Sequence, residues 1–130
     1  MRSNHGLALG AVMLLLVATA RTFAAAETIT GRLVDLACYT LDKSNTGATH
    51  AGRGYACAQA CAKEGFQVAL LTDDGKLVQV AGGLVANKNA KLVPHLGNKV
   101  TILGEINQKD GMATITANEL RPLAASNSGR

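Results

Sequence analysis

Two Asp-Gly steps, Asp74-Gly75 and Asp110-Gly111, each stand between short runs of aliphatic and β-branched residues. An Asp-Gly step supplies the left-handed backbone that a tight hairpin needs, so each pair of runs reads as two antiparallel strands. The first pair is Phe66 to Thr72 and Lys76 to Ala81. The second begins at Lys99 to Ile106, where Val100, Ile102 and Ile106 fall on one face and Thr101, Leu103 and Glu105 on the other. It continues from Met112 to Leu120, which alternates again. A fifth run, Thr28 to Ala37, is β-branched and aliphatic, with Gly31 marking a bulge or bend. The chain is thereby committed to a mainly β fold.

The segments between the runs narrow the architecture. Leu41 to Gly54 is polar and contains glycine, as a loop does. Tyr55 to Glu64 is alanine-rich, carries no helix breaker, and is followed by Gly65 at a C-cap position, so it reads as a short helix. Asn89 to Leu96 reads as a short helical turn, limited by Pro94 and closed by Gly97. Five strands with a short helix between the third and fourth give the order of a five-stranded OB-like barrel. The cysteine-bearing helix is then an insertion between strands 1 and 2. An open α+β sheet is the alternative.

The amino terminus carries an export pattern. Arg2 supplies positive charge, and Leu7 to Ala20 is an uncharged, mostly apolar run too short to span a bilayer stably. Ala24-Ala25-Ala26 fits a small-residue cleavage site. The expected organisation is a signal peptide over 1–26, one domain over 27–122 and a disordered tail over 123–130. The expected location is periplasmic or secreted, with no stable membrane span once the signal is removed.

Thirteen basic residues stand against nine acidic ones; losing Arg2 and Arg21 leaves eleven against nine, a net of +2. These charges are scattered, and the remaining aromatics are Tyr39, Tyr55 and Phe66. Neither a basic patch nor a row of stacking rings is present, which argues against nucleic acid as a partner. The core must be aliphatic.

Chemistry concentrates in Cys38, Cys57 and Cys61, an odd number for a chain expected in an oxidising compartment. Cys57 and Cys61 are four apart and share one face of a helix. Cys38 closes the first strand and can converge as a third ligand, with His50 from the loop as a fourth. Cys₃His suits tetrahedral zinc, and three thiolates alone suit copper(I). Two other readings stay open. Cys38 can pair with Cys57 or Cys61 as a structural disulfide that staples an OB-like binding module of the cell envelope, whose barrel face meets a protein or envelope component. Alternatively, the thiols carry redox chemistry. The leading reading is metal binding, delivery or tolerance, without catalysis. Asp35, three residues before Cys38, is expected to satisfy loop N–H groups or support a ligand. His95 reads as a surface or cap residue.

The stretch GRLVDLACY, a glycine-containing loop, and CAQACAKEGFQVALLTDDGKL together resemble a group of small exported bacterial proteins. Their shared features are an Asp-x-x-Cys-Tyr strand end and a Cys-Ala-x-x-Cys-x-x-x-Gly helix, and the group has no assigned activity. The resemblance spans roughly Thr30 to Val80 and implies a heavy-metal or thiol site without naming the ion. Where such relatives often carry a histidine, three residues before the first helix cysteine, this chain has Gly54; its nearest histidine is His50.

Overall fold

The computed structural model describes residues 25–47 and 53–123. Most of the expected signal segment, nearly all of the expected tail, and His50 lie outside the described residues.

Six strands form one sheet: β1 (Ala26–Asp35), β2 (Val68–Leu71), β3 (Leu77–Ala81), β4 (Lys99–Lys109), β5 (Met112–Thr116) and β6 (Leu120–Pro122). Neighbours run β1-β2-β3-β5-β4, and β4 pairs back onto β1, which closes a five-stranded barrel. All pairings are antiparallel except β3 with β5. This is the strand order expected of an OB-like barrel, with β6 as an addition.

Closure depends on β1 serving two partners. Its first part, Ala26 to Arg32, pairs with β4, and its last part, Arg32 to Asp35, pairs with β2. Gly31 lies at this handover. A Cβ there would stand 2.9 Å from the Leu71 carbonyl oxygen and 3.2 Å from Leu70 Cβ. The bend expected at Gly31 is therefore a point of close backbone approach that only glycine admits.

Both hairpin turns form where the Asp-Gly steps placed them. Gly75 has φ +83°. Asp110 and Gly111 have φ values of 52° and 79°, the paired positive values of a type I′ turn.

The second expected alternating run is interrupted. β5 ends at Thr116: Ala117 N–H still donates to the Ala81 carbonyl at the end of β3, but the Ala117 carbonyl accepts from Leu84 N–H beyond that strand. The chain then rejoins β4 as β6, pairing Leu120 with Ile102.

The core is aliphatic, as the composition required. Leu33, Leu70, Leu92, Val68, Val100, Ile102 and Ile115 are fully buried, and among the described residues no aromatic ring belongs to the cluster. The connection from β3 to β4 contributes Leu84 from a 3₁₀ turn at Gly82–Val85, and Leu92 and Leu96, which flank a second at Val93–His95. The helical turn expected over Asn89 to Leu96 is thus shorter, with Pro94 in its first turn. Before it, Asn87, Lys88 and Asn89 all take left-handed backbone, with φ of 52°, 55° and 59°.

Candidate metal centre

Two helices carry the cysteines: α1 (Leu36–Leu41) and α2 (Arg53–Lys63). The first corrects the sequence expectation. The strand was expected to reach Ala37 with Cys38 at its end, but β1 stops at Asp35 and Cys38 lies inside α1. The physical reason is Asp35 itself. Its extended backbone makes it an N-cap, and its Oδ1 accepts from Cys38 N–H at 2.9 Å. Asp-x-x-Cys is therefore a cap and the third residue of a helix. The α1 carboxyl end is closed by Asp42, whose N–H donates to the Cys38 carbonyl. Asp42 Oδ1 accepts in turn from Ser44 N–H and Oγ, and these bonds lower its pKa.

Helix α2 runs as the alanine-rich segment predicted and stops in a Schellman motif. Gly65, at φ +92°, donates to the Ala62 carbonyl, and Phe66 N–H donates to the Cys61 carbonyl. Ala58 and Ala62 are buried, with Ala62 fully enclosed in the core. Their small side chains let the helix lie close on the barrel. Cys57 and Cys61 each precede one of these alanines, so the sulfur row borders the buried face, about 100° around the axis. Accordingly Cys57 is exposed and Cys61 half-buried.

A residue that the sequence did not disclose anchors this helix. Asn89, 2% exposed, donates from Nδ2 to the carbonyls of Ala62 and Phe66, both at 2.8 Å. Its left-handed backbone aims the amide at the α2 carboxyl end. Lys88 pairs beside it with Glu64 at 3.5 Å on the surface. The only sequence signal was an Asn-Lys-Asn run, and asparagine tolerates left-handed backbone better than most residues.

The three sulfurs converge. Cys38 Sγ is 3.3 Å from Cys57 Sγ and 3.8 Å from Cys61 Sγ, and all three lie within 4.8 Å of one another. With Zn–S bonds of about 2.3 Å, tetrahedral sulfur ligands stand about 3.8 Å apart, so small adjustments bring the set around one ion. All three are free thiols. His95 does not belong to this cluster. A groove of about 570 Å³, lined in part by Thr28, Leu103, Glu105 and Arg121, contains no cysteine. Among the described residues, no helix is long and apolar enough to cross a membrane.

The electrostatics favour a cation. Burial, first, and then hydrogen bonds to Cys57 and Asp35 raise the Cys38 thiol pKa far above its usual range. Cys61 is raised as well, chiefly by burial. Asp35 is 1% exposed, and its Oδ2 has no hydrogen-bond partner. A buried carboxylate with an unpaired oxygen beside three thiols gains from a positive charge at their centre. Comparison with known protein families, curated proteins and solved structures returned no match to this chain.

Proposed function

We propose that this is an exported protein that binds a thiophilic metal ion, copper(I) or zinc, through Cys38, Cys57 and Cys61. Its role on this reading is metal binding, delivery or tolerance in the periplasm or outside the cell. The observation that carries it is the convergence of one buried, one half-buried and one exposed thiol from two helices to within 4.8 Å. Three sulfurs complete a copper(I) site, because soft sulfur and low coordination number suit that ion. Zinc requires a fourth ligand, and His50 is the residue assigned to it here.

Titration of the reduced protein with each ion, followed by mass spectrometry under native conditions, tests the proposal. One ion bound per chain, lost on replacing any cysteine by serine, is the expected result. His50→Ala weakens zinc but not copper(I) if the histidine is the fourth ligand. Reduced protein that takes up neither ion refutes the reading.

A further inference from the structure

The three sulfurs are not equivalent. Cys57 is exposed and Cys61 half-buried, whereas Cys38 is only 7% exposed. The shorter of the two gaps from Cys38, 3.3 Å, joins this most buried thiol to the most exposed one, Cys57. Closing it to a disulfide of about 2.05 Å needs a shift of about 1.3 Å. The Cys38–Cys61 gap is 3.8 Å. Cys57 and Cys61 sit on one regular helix, where the Cβ directions disfavour a bond.

We infer that the site is redox-gated: a small disulfide oxidant joins Cys57 to Cys38 and releases the bound metal, leaving Cys61 as a single thiol. This rests on the metal-binding reading above. The exposed Cys57 thiolate attacks one sulfur of the oxidant R–S–S–R, forming a mixed disulfide and releasing one RS⁻. Cys38, deprotonated as a metal ligand, then attacks Cys57 Sγ, forming the Cys38–Cys57 bond and expelling the second RS⁻. Two protein thiolates lose two electrons, and the oxidant is reduced to two thiolates, which take up protons from water. The metal ion keeps its oxidation state and loses two of its three sulfur ligands, which a single remaining thiolate does not replace. The 3.3 Å gap and the exposure of Cys57 favour this pairing over the other two.

The test uses full-length reduced protein loaded with zinc and exposed to glutathione disulfide. A chromophoric chelator follows zinc release, and alkylation of the remaining thiol precedes tandem mass spectrometry. Cys57 and Cys61 share the tryptic peptide 54–63, so fragmentation within it must locate the label. The expected result is one zinc released per disulfide formed, with the label on Cys61. The Cys61→Ser variant, tested without metal beside the metal-free parent, retains the reacting pair and forms the same Cys38–Cys57 disulfide; failure to form it overturns the pairing. Label on Cys38 or Cys57, a persistent glutathione adduct on Cys57, or oxidation with zinc retained overturns the inference. Failure of the reduced protein to take up zinc or copper(I), measured before oxidant is added, refutes the binding reading separately.

Discussion

Asp35 does two jobs that substitution can separate. Its Oδ1 caps α1 through the 2.9 Å bond from Cys38 N–H, while its charge sits buried beside the thiols with Oδ2 unpaired. Asp35→Asn keeps a capping oxygen and removes the charge. Asparagine caps about as well as aspartate, so the cap contribution is preserved. The exchange places a neutral amide where a charged oxygen lacked a partner, and a neutral group costs less to bury. Metal-free Asp35→Asn is therefore expected to be as stable as the parent or slightly more so. Asp35→Ala removes the cap and strands Cys38 N–H, at a cost of roughly 1–2 kcal/mol. For a domain of this size that lowers Tm by roughly 4–16 °C, taking about 4–8 °C per kcal/mol. Zinc affinity should behave differently. Loss of the supporting charge weakens metal binding about 10–100-fold in both variants, as loss of outer-sphere partners does. Thermal denaturation of the metal-free proteins and chelator competition for zinc measure the two effects independently. Asp35→Asn that matches Asp35→Ala in lost stability, or that binds zinc like the parent, refutes the division of labour.

Asn89→Leu removes both bonds to the α2 carboxyl end; a stability loss of about 1–3 kcal/mol is expected, with faster hydrogen exchange at α2 amides than at β4 amides. Gly31→Ala forces a Cβ to 2.9 Å from the Leu71 carbonyl oxygen, and urea denaturation should show a loss of about 1–3 kcal/mol from overpacking. The raised Cys38 pKa gives a definite sign with pH. Above about pH 9 the unfolded thiol loses its proton while the folded one keeps it. The unfolded state then binds fewer protons, and stability falls by up to about 1.4 kcal/mol per pH unit. Stability below pH 9 is unaffected by this group, and Cys38→Ala should flatten the alkaline slope in denaturation series at pH 8 to 10.

Much of the barrel was legible because its signals are local. Asp-Gly steps define both hairpins, alternation defines the faces of β4, and Gly65 marks the end of α2. The spacing of Cys57 and Cys61 likewise needs only helical geometry. The missed features depend on partners far away in sequence. Asp35 followed a β-branched run and read as part of the strand, yet its cap begins a new helix. Asn89 read only as the start of a short helical turn, because its two acceptors lie far back in sequence at Ala62 and Phe66. β6 was hidden because Ala117 bonds to Ala81 and Leu84 before the chain returns to β4. Cys38 was expected as a third ligand, but its approach to 3.3 Å of Cys57 required the packing of α1 against α2, which no spacing rule encodes.

The sharing of β1 between β4 and β2 has a kinetic consequence. Ala26 pairs with Glu105, so the seam that closes the barrel waits until most of the chain is present. Contacts so distant in sequence form late, because the intervening chain entropy must first be lost. Cys38 lies three residues beyond the far end of that strand, inside α1. Its thiol is 7% exposed in the folded protein and meets Cys57 and Cys61 of α2; if α1 and α2 pack only onto a closed barrel, the rate at which Cys38 escapes alkylation during refolding tracks completion of the barrel. The cysteine that lies deepest in the site is thereby a clock for the assembly of the whole domain.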